Sequence, residues 1–216
     1  MRVEEAYRYI TDRLNAMASN KGDNIPKHTF VRAFNACQEM WVEERFKLAD
    51  TNNTRIDELQ RLVTTLPATL QKENNYWYTP LPDDYYHTYR VDVYAPCLLT
   101  AYPKKESDIN VFLNDSLWKP SLEWGETLYT ISENKLKIYG DFAIDSVNFL
   151  YFRRPLKINM ADGYTDIDGN PNVNIDPEFV ASSLIDILEK TVSLLAVDAT
   201  DQFRYQAVEP KVQRIP

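Results

Sequence analysis

Pro80-Leu-Pro-Asp-Asp-Tyr-Tyr-His-Thr-Tyr-Arg-Val-Asp-Val93 is the stretch on which the reading of the fold turns. Its two prolines, one residue apart, fix φ and remove two amide donors, so a helix arriving from the N-terminal side has to stop here. Tyr89-Arg-Val-Asp-Val-Tyr94 then alternates in the manner of a half-buried strand. The stretch predicts a handover from a helical front half to a β block.

Upstream, Val3, Tyr7, Ile10, Leu14 and Met17 recur at helical spacing and predict a helix from about residue 2 to Ser19. Asn20-Lys-Gly-Asp-Asn24 breaks it, and Pro26 suits the first turn of a second helix striped by Phe30, Phe34, Cys37, Trp41 and Leu48. Thr51-Asn-Asn-Thr54 offers capping side chains, and Ile56, Leu59, Leu62, Val63 and Leu66 predict a third. Short connections make these antiparallel neighbours.

From Asn75 to about Asn159 short aromatic and β-branched runs alternate with turn residues. The candidate strands are 89–94, 97–102, 109–113, 117–119, 127–131, 135–139 and 147–153, with Asn114-Asp115 and Glu133-Asn134 as hairpin tips. A small antiparallel sheet, sandwich or partly closed barrel follows. Helix returns at Asp176-Pro177-Glu178, a capping carboxylate, a first-turn proline and an acid, and Val180, Leu184, Ile187, Leu188, Thr191, Leu194 and Leu195 carry it to about Thr200.

The expected fold is α+β: a four-helix bundle of three N-terminal helices and one C-terminal helix, with an inserted antiparallel β domain and an extended C-terminal tail. The divisions are N-terminal helices at 1–72, the β domain at 73–160, an acidic loop at 161–175, the last helix at 176–200 and the tail at 201–216. That tail has two prolines and too few apolar residues for a core of its own; it reads as a frayed terminus or as a segment docking on a neighbouring subunit.

The formal charge of −8 over 216 residues argues against a dedicated duplex binder, which needs Lys and Arg to neutralise phosphates. No run is long enough to cross a bilayer, and the first residues go directly into a charged amphipathic pattern with no signal-peptide apolar region, so synthesis in a cytosol is expected. Of the two cysteines, Cys37 and Cys97, the favoured reading is two buried thiols rather than a disulfide.

Chemistry is thinly represented. The two histidines, His28 and His87, stand in no nucleophile context, and the five glycines form no phosphate-cradling loop. Asp166, Asp168 and Asn170 occupy the first, third and fifth positions of a calcium-loop pattern, with Asp162 nearby. The pattern then fails, with Pro171 where Gly is needed and Pro177 where a bidentate Glu belongs; the competing reading is an Asx-rich turn. No cofactor or enzymatic activity is expected. The rival assignments are a metal-dependent binding module built on the acidic loop and a hydrolase using Asp83, Asp84 and His87.

Aromatics are the other anomaly: Tyr76, Trp77, Tyr78, Tyr85, Tyr86, Tyr89 and Tyr94 crowd together, and Trp118 and Trp124 follow. They fit core packing, a subunit interface or nucleic-acid stacking, the last disfavoured because Arg90 is the one nearby cation. The interface candidates are Tyr85, Tyr86, Trp118 and Trp124, with Phe203, Arg204, Tyr205, Val208, Lys211, Val212, Arg214 and Ile215 of the tail.

Tyr78-Thr-Pro-Leu-Pro-Asp-Asp-Tyr85 followed by Arg90-Val-Asp-Val93, with helices before and a lone helix and tail after, resembles the head–tail connector (adaptor or tail tubular) proteins of tailed bacteriophages. Val111-Phe-Leu-Asn-Asp-Ser-Leu-Trp-Lys-Pro-Ser-Leu-Glu-Trp-Gly-Glu-Thr-Leu-Tyr129, and the run from Ala161-Asp-Gly-Tyr-Thr-Asp-Ile-Asp-Gly169 through Asp201-Gln-Phe-Arg-Tyr205, are similar to neck ring proteins of crAss-like gut phages. The resemblance implies a virion structural subunit that closes with about twelve copies into a ring by heterologous contacts. It also implies the portal and further neck or tail rings as partners, and a channel passing DNA without sequence-specific binding.

Overall fold

The computed structural model describes residues 1–17, 25–49, 57–73, 75–161 and 173–208, with backbone alone at 17, 49 and 197–208. The chain divides into two compact units, Met1–Arg61 with Pro155–Pro216, and Leu62–Arg154. Its described α-helices are α1 (Val3–Met17), α2 (Lys27–Ala49), α3 (Ile109–Asn114) and α4 (Ala181–Val208).

In the first unit α1 and α2 each pack on α4. Val3, Ala6 and Ile10 of α1, Phe30, Phe34, Cys37 and Trp41 of α2, and Leu184, Ile187, Leu188, Val192 and Leu195 of α4 are buried, as their helical spacing requires. Each large side chain so buried contributes about 1.5–3 kcal/mol. Leu48, Val180 and Leu194, expected in the same stripes, are exposed. Polar side chains fasten the rest: Asn35 donates from Nδ2 to Ile158 O (3.1 Å) and accepts Ile158 N (2.8 Å), and Gln38 Nε2 donates to Leu156 O (2.9 Å).

The expected four-helix bundle does not form. Where a third helix was expected, Asp57–Leu62 is a single 3₁₀ stretch and Val63–Ala68 is a strand, β1. Val63, Thr64 and Thr65 are β-branched and lose rotamer freedom in a helix, while Pro67 would delete a helical hydrogen bond yet is tolerated in an edge strand. The last helix also differs at both ends from the expected 176–200. Asp176 caps α1 instead, its Oδ1 accepting Val3 N at 2.8 Å, and Glu178 Oε1 accepts Leu156 N at 2.8 Å. At the other end α4 continues to Val208, so the first half of the expected extended tail is helical. Residues 201–208 contain neither Gly nor Pro, and Pro210 is the first residue that disfavours helix.

The second unit is one curled mixed sheet rather than an antiparallel domain. Its remaining strands are β2 (Gln71–Glu73), β3 (Tyr76–Pro80), β4 (Tyr85–Tyr94), β5 (Leu98–Pro103), β6 (Glu126–Ser132), β7 (Lys135–Tyr139) and β8 (Ser146–Arg153). The order is β1-β8-β4-β5-β6-β7-β3-β2, all neighbours antiparallel except β5 and β6. That parallel pair has a physical origin: Ile109–Leu113, expected as a strand, is helix α3, and a helical crossover returns the chain in its original direction. Asn114-Asp115 is accordingly a helix end and 117–119 a turn. Glu133-Asn134 is the expected hairpin tip, with φ of 52° and 58° matching the primed turn that strand twist favours.

Curl is imposed by connectivity. β1 and β2 occupy opposite edges, yet only Thr69 and Leu70 separate them, and three residue steps from Ala68 to Gln71 span at most about 11 Å. Laid flat, eight strands would hold those edges roughly 33 Å apart. The concave side encloses the core, with Val91, Val93, Leu99, Leu136, Ile138, Val147, Phe149 and Tyr151 in it and Trp77 and Tyr85 packed against it. The Pro80-Leu-Pro82 stretch therefore turns strand into strand: Leu81 N donates to Asn134 O and Tyr85 N to Pro82 O, each at 3.0 Å. It follows β3 rather than a helix.

Candidate functional site

Alternation along β7 sends Leu136 and Ile138 into the core and leaves Lys137 and Tyr139 on the convex side. There Ile109, Leu128 and Tyr139 form a second, smaller core with Phe112, Leu113 and Tyr76 packed against it, so α3 lies as a strap over β6 and β7. A polar latch fastens the strap. Glu106, in the 3₁₀ turn Glu106–Asp108 that leads into α3, accepts Lys137 Nζ at 3.0 Å, Thr130 Oγ1 at 2.5 Å and Tyr139 Oη at 3.2 Å. Glu133 adds an ion pair to Lys137 at 3.2 Å.

Burial opposes the charge on Lys137, but its hydrogen bonds to Glu106 and Glu133 outweigh that and hold the ammonium above its ordinary value. Burial likewise opposes ionisation of Glu106, and the bonds from Thr130 and Lys137 outweigh it, holding the carboxyl below its ordinary value. Glu106 and Lys137 thus hold each other in their charged forms, with Thr130 and Tyr139 as neutral donors.

The loop that follows α3 is ordered by bonds of its own. After α3, Asp115 accepts Leu117 N at its carboxylate and Lys119 N at its carbonyl, both at 2.9 Å, while Ser121 and Glu126 exchange backbone bonds of 3.0 and 3.1 Å. Gly125 takes φ of 66°, a conformation that disfavours other residues, and its carbonyl accepts Thr100 N at 2.7 Å. Val111 of α3 and Leu117, Trp118 and Trp124 of this loop are 69, 75, 59 and 69% exposed, and Leu122 is exposed as well. Lys104 Nζ stands 3.9 Å from the Phe112 ring centre and 5.7 Å from that of Trp118.

The helical unit carries a second apolar feature, a shallow groove of about 590 Å³ lined by α2 and α4. Cys37 and Trp41 are its buried residues, and Met40 and Leu194 stand exposed along it. Ion pairs Lys190–Glu44 (2.6 Å) and Arg45–Asp186 (2.8 Å) join the two helices, and the Arg45 guanidinium lies 5.0 Å from the Trp41 ring centre.

The structure distributes the sequence candidates unevenly. Trp118 and Trp124 are both exposed in the loop after α3, but Tyr85 lies against the core, its ring 5.8 Å from Phe149, and Tyr86 is half-buried. Phe203, Arg204, Tyr205 and Val208 fall on α4 where only backbone is described; Lys211, Val212, Arg214 and Ile215 lie outside the described residues. So do Asp162, Asp166, Asp168 and Asn170, and among the described residues no group of three or more His, Cys, Asp or Glu could hold a metal ion. Asp84, a member of the hydrolase rival, accepts Tyr151 Oη at 2.9 Å through its carboxylate. Both cysteines are free, but Cys97 is exposed rather than buried. Val111 and Leu117 were not singled out because 109–113 and 117–119 read as strands, and Leu122 fell between predicted strands; the Leu-Trp and Leu-Glu-Trp runs were the available signal. Met40 and Leu194 were hidden within stripes expected to be core or solvent.

No family model matches the chain, and no curated protein matches it. Among the described residues, no helix is long and apolar enough to cross a membrane.

Proposed function

We propose that this chain is a structural ring subunit of a bacteriophage neck, joining the portal to the tail and continuing the DNA channel. The observation that carries the reading is the strap surface: an ordered loop, latched to a sheet, presenting two tryptophans and three aliphatic side chains to solvent. Exposed tryptophans held on an ordered frame suit a protein–protein interface, since Trp is among the residues most enriched at interface hot spots. The resemblance of Tyr78–Tyr85 and Val111–Tyr129 to connector and neck ring proteins supplies the particular assembly. In this reading the chain does no catalysis, binds no cofactor and works in the virion. Its partners are its own copies, about twelve to a ring, the portal and adjoining rings. A net charge of −8 suits a lumen through which duplex slides without being gripped.

The test mixes the purified chain with the portal protein of the same phage and measures native mass and negative-stain images. Rings seated on the portal are expected. A chain that leaves the portal's mass and outline unchanged at a large molar excess refutes the proposal.

A further inference from the structure

We infer that the cavity inside the loop after α3 is a binding site for a neutral saccharide. It measures about 450 Å³, within the size range of small-ligand sites. Three segments wall it: the turn that follows α3, the turn closed by Ser121 and Glu126, and the loop after β7 at Asp141 and Phe142. The walls are tied together by the protein's own bonds. Ser121 and Glu126 exchange backbone bonds, Gly125 N donates to Leu122 O at 3.2 Å, and the ion pair Lys119–Asp141, also 3.2 Å, joins the first turn to the loop after β7.

The lining supplies what a sugar ring needs. Ser116, Ser121, Glu123 and Glu126 all line the cavity, and among the described residues their side chains make no hydrogen bond or ion pair. Two hydroxyls and two carboxylates therefore stand uncommitted around one space, with the exposed indole of Trp124 in the same lining. A pyranose carries hydroxyls around its rim, which donate to carboxylates and exchange bonds with serine, and C–H groups on its faces, which pack against an aromatic plane.

Other ligand classes fit less well. Glu123, Glu126 and Asp141 share the cavity, yet among the described residues no three His, Cys, Asp or Glu come together closely enough to hold a metal ion. Acceptors dispersed in this way suit a ligand whose donors are dispersed, whereas a metal, an ammonium or a guanidinium needs them converged on one point. An anion would meet three carboxylates against the single ammonium of Lys119. Trp118 and Val111 do not line the cavity, so a subunit contact through them is compatible with an occupied site, and the inference stands or falls apart from the ring reading.

Saturation-transfer difference NMR on the full chain tests this, with maltotriose, cellotriose and triacetylchitotriose as neutral probes and arginine amide as a cationic one. Transfer to the ring C–H protons of at least one trisaccharide is expected, with a dissociation constant on the order of 1 mM. Trp124→Ala should weaken binding roughly tenfold. Glu126→Gln, which keeps the shape and removes the charge, should weaken it about fivefold. Tyr102→Thr removes an exposed aromatic that does not line the cavity and should leave binding unchanged. Circular dichroism checks that each variant is folded. Transfer to none of the three trisaccharides at several millimolar, or transfer that survives Trp124→Ala, overturns the inference. Transfer to arginine amide alone, lost in Glu126→Gln, would assign the cavity to a basic side chain of a protein partner and overturns it as well.

Discussion

Removing the Glu106 carboxylate should loosen the strap, and the structure sets the size of the effect. Glu106 accepts three hydrogen bonds, from Lys137, Thr130 and Tyr139. Bonds to a charged group contribute about 1.5–3 kcal/mol each when buried. The Glu106 side chain is 43% exposed, so water recovers much of this, whereas Lys137 at 5% cannot be resolvated and keeps only its 3.2 Å ion pair with Glu133, whose side chain is 72% exposed. Glu106→Ala should therefore cost about 2–3 kcal/mol. Lys137→Met should cost about 1 kcal/mol, because the stem stays packed and Glu106 retains two donors and solvent. The double variant should cost about 2–2.5 kcal/mol, a coupling of about 1 kcal/mol, since a buried ammonium left with Glu133 alone is the main penalty in the first variant and is absent from the double. Urea unfolding at neutral pH, with all four proteins sharing one slope, measures the cycle. Additivity within about 0.3 kcal/mol would show that the latch does not bear on the strap and would refute the reasoning.

Three further outcomes are expected. Asp176→Ala should destabilise the protein by about 1 kcal/mol through loss of the cap on α1; hydrogen exchange should quicken in the first turn of α1, and protection lost only in α4 would contradict the assignment. Burial and then the hydrogen bond to Asp84 push the Tyr151 phenol up to about 12. Its folded value lies above the unfolded value of about 10, so its contribution is whole below pH 10 and lost as pH climbs toward 12; Tyr151→Phe should flatten that alkaline decline, and tyrosinate absorbance follows it directly. Gly140→Ala would bring a Cβ to 2.7 Å from Phe142 Cζ, inside contact distance. Forcing that ring from the core should lower the melting temperature by an amount equivalent to about 1–3 kcal/mol, and an unshifted melt would show that the ring yields freely.

Much of this architecture was legible residue by residue. Phe30, Phe34, Cys37 and Trp41 announce α2 by spacing, Glu133-Asn134 announces a hairpin by turn chemistry, and β6, β7 and β8 announce themselves by alternation. These signals are local: period and turn geometry are fixed within a few residues. The failures share a different cause. Ile109-Asn-Val-Phe-Leu113 satisfies both periods, and only burial of Ile109 and Phe112 against β6 and β7 makes it helix. Val63–Ala68 could be a helix until β8 offers it a ladder. Asp176 carries every mark of a cap, yet the amide it meets belongs to Val3, at the far end of the chain.

The candidate site divides in the same way. Sequence alone showed His28 and His87 in no recognisable nucleophile context and no phosphate-cradling Gly-rich loop, and it offered Trp118 and Trp124 as either core or interface residues. Tertiary structure alone separated them from Tyr85, which looked identical in sequence and lies against Phe149, and set Met40 and Leu194 on one groove. Residue type states how much apolar surface a chain has to cover; which of it stays uncovered is decided by contacts between segments distant in sequence, and no local pattern encodes those.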